Sequence, residues 1–163
     1  IQQGRRFEEL GIYHFEEPVA QYDYAGIRQV ADALDVPVSA GEHEYTRWQF
    51  RDLIQQANPD ILQPDVVKCA GITDMKKIAV LSETYSKHFL PHQTQPTIGT
   101  LASLHVCTSI QTCTRPHEFT GEREDLNALF KEPLEFKDGC ITIPMKPGLG
   151  LEVKPQKVKD MAL

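Results

Sequence analysis

Short apolar runs alternate with amphipathic segments along this chain of 163 residues, and that alternation restricts what it can fold into. Ile12-Tyr13-His14-Phe15, Pro37-Val38-Ser39-Ala40, Ile61-Leu62-Gln63 and His88-Phe89-Leu90 read as strands, with a last, less apolar run near Cys113–Phe119. Between them lie Ile27, Val30, Ala31 and Leu34, then Phe50, Leu53, Ile54 and Ala57, both at the spacing that lines one face of a helix. A third helix spans about Thr73–Tyr85 with Met75, Ile78 and Ala79, and a fourth about Ile98–Thr108 with Leu101 and Leu104. Five strands alternating with four helices call for a parallel array, because parallel neighbours need a crossover and a helix usually supplies it. Pro18, Pro37, Pro59, Pro64 and Pro91 sit at the boundaries, as a locked φ and a missing donor require.

After Phe119 the pattern changes. Glu135–Ile143 reads as a hairpin across the Asp138-Gly139 turn, and Lys146-Pro147-Gly148-Leu149-Gly150 as a turn-rich loop before a short terminal helix. No low-complexity linker intervenes, so residues 1–130 are expected to form the array and 131–163 an appended tail.

Composition removes several classes of function. Net charge is −6, from 17 basic and 23 acidic side chains, with no basic stripe, so no nucleic-acid partner is expected. No run approaches the roughly 18 apolar residues of a bilayer span, so no membrane partner is expected either. The four cysteines form no CxxC pair and read as buried small apolar residues of a reducing, cytoplasmic compartment. Trp48 and Phe50 read as core packing.

The chemistry lies at the carboxyl ends of the strands. Glu16, Glu42, Asp65, His92 and Glu118 follow one another at intervals of 26, 23, 27 and 26 residues, one βα unit each. That repeat places them around one rim, where parallel βα proteins bind ligands. Crowded carboxylates repel by about 4 kcal/mol per close pair at an effective dielectric of 20, so protons or a cation must offset them. Mg²⁺ suits carboxylate oxygens and can stabilise the enediolate formed when a proton leaves the carbon beside a carboxylate. His92 is the base suited to neutral pH, with Asp65 one strand over to orient its other nitrogen. A protonated Glu118 could hydrogen-bond the substrate carboxylate.

Phe15-Glu16-Glu17-Pro18, Ala40-Gly41-Glu42, Gln63-Pro64-Asp65-Val66 with Ala70-Gly71-Ile72-Thr73, Pro91-His92 and the Lys146–Gly150 loop resemble the enolase superfamily. The His and Asp at adjacent strand ends are similar to its mandelate racemase branch. Gly41-Glu42-His43-Glu44 with Thr46-Arg47-Trp48 resembles acid-sugar dehydratases of the L-rhamnonate type, and the tail loop those of the galactonate type. The resemblance runs from about Gly11 to Val153. It implies a partial TIM (β/α)₈-type barrel, matching the family's strands four to eight, with a C-terminal hairpin tail. It makes Glu16 and Glu42 Mg²⁺ ligands, His92 the general base or acid, Asp65 its partner and Glu118 the electrophilic group. Glu17 would pack beside the ligand Glu16, and Glu122 competes for the Glu118 role. Lys68 falls in the same strand-end loop, where a place behind the metal ligands and a surface position both stand, the surface position being favoured; for His43, substrate contact and a structural role both stand.

The resemblance further implies that three barrel strands, a third metal ligand and an N-terminal capping domain lie outside these residues. The chain alone is then expected to carry a half-site, and to be marginal or to associate through exposed strand edges as a homo-oligomer. The implied reaction is dehydration of a small-molecule sugar acid or hydroxy-carboxylate. Racemisation or cycloisomerisation within the same superfamily, or an inactive truncated fragment, are the alternatives. Two departures stand out: Ala70 occupies the first position of a usual Gly-Gly pair, and Gln93–Ile98 is unlike the rhamnonate type.

Overall fold

The structure is a computed structural model and describes residues 1–95, 97–121, 123–132 and 134–161; Glu122, the competitor of Glu118, lies outside the described residues. Four short strands, β1 (Phe15–Glu16), β2 (Val38–Ala40), β3 (Ile61–Leu62) and β4 (His88–Phe89), form one parallel sheet in sequential order. The register is Phe15 with Val38, Ser39 with Ile61 and Ile61 with His88, so the strands start within one residue of one another. Their carboxyl ends therefore emerge at one height, which is the property the site depends on.

Helix α1 (Gln2–Glu9) precedes the sheet, and α2 (Tyr24–Ala31), α3 (Arg47–Gln56) and α4 (Gly71–Thr84) cross between its strands. Helix α5 (Ile98–Cys107) follows β4. Asp23 caps α2 by accepting from Gly26 N at 2.8 Å, and Thr46 caps α3 through Gln49 N at 3.3 Å. The apolar stripes face inward as their spacing requires: Ile27, Val30, Phe50, Leu53, Ile54, Ala57, Met75, Ile78 and Ala79 all join one buried core with Val38, Ala40, Leu62 and Phe89. Asp60 ties the layers at the amino ends of the strands, its Oδ2 accepting from Val38 N at 2.9 Å.

Helix α1 has no apolar stripe of its own and goes unread in the sequence. It is held by contacts distant along the chain: Gly4 lies against Leu34, and Glu8 Oε1 accepts from Asp35 N and Val36 N. Trp48 departs from expectation, being 56% exposed. It follows from helix geometry, since two residues from Phe50 is about 200° around the helix, away from the core. The indole is instead flanked by the guanidinium groups of Arg47 and Arg51, at 4.8 and 5.6 Å from the ring centre.

The fifth run approaches β4 through a single backbone bond, Phe89 N to Thr112 O at 3.2 Å, and among the described residues makes no ladder. Pro116 has no N–H to give, and Arg115 leaves the run to cover the ring of Tyr13 at 4.5 Å. No closed barrel forms among the described residues. Helix α6 (Glu124–Asn127) follows the fifth run, and the tail carries the antiparallel pair β5 (Phe136–Lys137) and β6 (Cys140–Ile141), and α7 (Pro155–Met161). Asp138 and Gly139 both have positive φ, 52° and 76°, as a tight type I′ hairpin turn requires. All four cysteines are free thiols, with Cys69 and Cys107 buried, Cys113 partly so and Cys140 exposed. No helix among the described residues is long and apolar enough to cross a membrane.

Ala70 enters α4 in the left-handed region, φ 65° and ψ 31°, where an L side chain crowds its own carbonyl. Ala70→Gly should relieve this and raise stability by about 0.5–1 kcal/mol after the extra chain entropy of glycine is counted. The midpoint of urea unfolding reads the effect, and a lower midpoint would contradict it.

Candidate active site

Each of the five ionisable residues sits at or just beyond a strand end. Glu16 is the last residue of β1, Glu42 lies two past β2, and Asp65 and His92 lie three past β3 and β4. Glu118 is at the end of the unladdered fifth run. The parallel register brings the first four together.

Asp65 is wholly buried and is the best-anchored of the five. Its Oδ1 accepts from Val67 N at 2.8 Å, and its backbone carbonyl from Lys68 N at 3.0 Å and Cys69 N at 2.8 Å. The loop after β3 is thus wrapped around it. The remaining oxygen, Oδ2, accepts from Nδ1 of His92 at 2.9 Å. That bond fixes the imidazole and leaves Nε2 directed to the rim, 3.0 Å from Oε2 of Glu42. Three consecutive strand ends are therefore linked as Asp65–His92–Glu42.

The other two residues join through neighbours. Glu16 Oε1 accepts from Nε2 of Gln63 at 2.9 Å, and Glu118 Oε2 accepts from the backbone N–H of Gln93, next to His92, at 2.6 Å. Glu16 and Glu118 line a cavity of about 210 Å³ with His14, Gln63, Leu90 and Pro116. Gln63 and His14 each keep one buried polar atom, Oε1 and Nδ1, without a partner among the described residues.

Glu17 follows Glu16 with φ 39°, a left-handed turn that brings two successive carboxylates to the same side. Burial pushes the Glu17 carboxyl above the usual carboxylate range; nearby His43 works against this, while Glu42 and Glu16 reinforce it. Beyond Glu42, the chain is pinned by Glu44, which accepts from the Tyr24 hydroxyl at 2.7 Å and whose carboxyl burial also pushes up. Gly41, at φ 132°, allows the close approach: a Cβ there would lie 2.8 Å from the Phe50 ring and 3.2 Å from Gln63 N.

Two residues contribute more than the sequence indicates. Lys68 is not a free surface lysine; its Nζ lies 3.5 Å from Glu42 Oε1. His43 reaches the same oxygen at 3.1 Å and Glu17 Oε2 at 3.6 Å. Gln63, the partner of Glu16, also goes unassigned in the sequence, although it stands two residues before Asp65 at the same strand end. Its amide can donate to one carboxylate while keeping an acceptor free.

The chemistry of the donor set fits a hard divalent ion in part. Glu16 and Glu42 offer carboxylate oxygens from adjacent strand ends, and Mg²⁺ is usually held by one or two protein carboxylates with waters and substrate oxygens. Glu42 is meanwhile engaged by nitrogens, and no group of three or more His, Cys, Asp or Glu among the described residues is arranged to hold a metal.

The model of the family described as enolase C-terminal domain-like matches residues 1–157. This chain belongs to that family. Among relatives of the enolase C-terminal domain-like chain, arabinonate dehydratase of Saccharolobus solfataricus is 34% identical over 157 residues, 94% of this chain and 41% of the relative. D-galactarolactone cycloisomerase of Agrobacterium fabrum is 30% identical, covering 98% of this chain and 44% of the relative. A mandelate racemase/muconate lactonizing protein of Paracoccus denitrificans, solved as a complex with magnesium, superposes with a TM-score of 0.90 at 38% identity, covering 98% of this chain and 43% of that one. The chain thus spans less than half the length of these relatives, and the enolase-like partial barrel expected from the motifs is the fold it has.

Because Asp65 is fully desolvated, removing its carboxylate strands two donors. Asp65→Ala should destabilise the protein by about 3–5 kcal/mol. Asp65→Asn should cost clearly less, since an amide oxygen can still serve Val67 N. Urea unfolding of the two variants side by side measures this; equal losses would show that the hydrogen bonds of Asp65 are not what holds the loop.

Proposed function

We propose that this chain is the C-terminal barrel part of a Mg²⁺-dependent acid-sugar dehydratase, which removes the α-proton of a hydroxy-carboxylate and then expels the β-hydroxyl as water. The observation that carries this reading is the Asp65–His92 pair, buried at 2.9 Å, with the outer nitrogen of the imidazole turned to a rim of carboxylates. The dehydratase among the relatives adds support for the reaction class.

In this reading Glu16 and Glu42 hold Mg²⁺, as two carboxylates from neighbouring strand ends. A bound Mg²⁺ would supply positive charge for the oxygens of the substrate carboxylate as the α-proton leaves. His92 takes that proton on Nε2, because Asp65 already occupies Nδ1 and stabilises the imidazolium that results. Glu118, held by Gln93 N at the far side of the cavity, donates a hydrogen bond to the substrate carboxylate from its protonated carboxyl. His92 then returns its proton to the departing β-hydroxyl, so that water is lost and a 2-keto-3-deoxy acid forms after ketonisation. Residues 131–163 would pack on the capping domain of the longer enzyme.

Cycloisomerisation is the second reading, favoured by the relative that carries out that reaction. It shares the proton abstraction and differs in the fate of the enediolate, so α-carbon deuterium exchange without loss of water would select it.

The full-length enzyme, assayed with Mg²⁺ against a library of sugar acids, should release 2-keto-3-deoxy product. His92→Asn should lower kcat by about 10²–10⁴-fold, and chelation of the metal should abolish turnover. Turnover unchanged in His92→Asn would refute the role given to His92.

A further inference from the structure

Glu42 is the most crowded carboxylate at the rim. Both its oxygens are met by nitrogen: Oε1 by His43 Nε2 at 3.1 Å and Lys68 Nζ at 3.5 Å, Oε2 by His92 Nε2 at 3.0 Å. The two sides differ in freedom. His92 is buried and tied at Nδ1 to the fully buried Asp65, so the imidazole that faces Oε2 keeps one orientation. His43 and Lys68 have side chains 40% and 26% exposed. Each has room to leave Oε1, and His43 already has a second acceptor in Glu17 Oε2 at 3.6 Å.

We propose that Lys68 is the resident counter-ion of Glu42, sharing Oε1 with a hydrogen-bonding contact from His43 when no metal is bound; both must give way when a divalent cation enters, so that Lys68 sets how tightly the site takes its metal. The inference rests on the reading of Glu42 as a metal ligand. Its physical basis is crowding. Glu16, Glu17 and Glu42 converge, and without a cation that repulsion must be offset by the protein's own positive groups. Lys68 is well suited to this, because its backbone N–H is bonded to the carbonyl of Asp65. One loop therefore positions the residue that orients His92 and the residue that guards Glu42. A metal arriving at Oε1 must break the Lys68 contact and then remain near an ammonium group, and both lower its affinity. Glu17, turned toward the rim by its left-handed backbone, receives His43 when Oε1 is vacated.

An ordinary surface ion pair would have no such consequence. The test is a titration of the full-length enzyme with Mn²⁺, using the electron paramagnetic resonance signal of the free ion. Wild type is expected to bind one ion, and Glu42→Gln to lose that binding. Lys68→Met should bind Mn²⁺ roughly five- to twentyfold tighter, the size of effect expected from removing one positive charge beside a divalent ion. Lys68→Arg, which keeps the charge, should stay near wild type. Affinity unchanged or weakened in Lys68→Met, with Glu42→Gln still defective, would overturn the counter-ion role and leave Glu42 a ligand. Wild-type affinity in Glu42→Gln, or no Mn²⁺ binding by wild type and Lys68→Met alike, would overturn both.

Discussion

A carboxylate with no exposure to water survives in a fold only if local donors replace its lost hydration, and Asp65 gathers two of them. The N–H of Val67 comes from its own loop and the imidazole of His92 from the next strand, while the backbone carbonyl of Asp65 collects the N–H groups of Lys68 and Cys69. Everything functional at this rim is referred to that point. The imidazole has one orientation because Asp65 fixes it, and Glu42 meets that imidazole because β2 and β4 both flank β3. Glu16 and Glu118 are then brought in by Gln63 and by the backbone of Gln93.

The scaffold behind Asp65 is a parallel sheet of very short strands, two or three residues each, carried by helices that bury their apolar faces. Strands this short contribute few ladder bonds, so their alignment is enforced mainly by helix packing and by side-chain ties such as Asp60 to Val38 N. That division suits a site of this kind. The amino ends of the strands are locked, while the carboxyl ends open into loops that can carry charged groups. Two non-glycine residues in left-handed conformations, Glu17 and Ala70, mark where those loops turn back on the rim.

Much of this is written locally. The helical stripes are legible because packing against a sheet demands one apolar face, and the five strand-end residues because a βα unit has a nearly constant length. The Asp138-Gly139 turn is legible because positive φ is open to few residues. The features that escape a sequence reading have a common cause. Helix α1 owes its place to Glu8 and Gly4 meeting residues nearly thirty positions away, and nothing in its own sequence signals that. Trp48 reads as core because tryptophan is large and apolar, but its position on α3 turns it outward between two arginines. The fifth run has the spacing of a strand and lacks the ladder, since pairing depends on neighbours as well as on the run itself.

The sequence by itself determined the class of fold and the order of the five ionisable residues along the chain, because both follow from a repeat length, and it made His92 and Asp65 an expected pair. Only the tertiary structure decided that Glu42 is the shared carboxylate, that Lys68 and His43 lie on one of its oxygens, and that Gln63 rather than a charged group steadies Glu16. Those contacts join side chains from different βα units. Their partners are set by the register between strands and by the turn each loop takes after its strand, and neither quantity is encoded in any one segment.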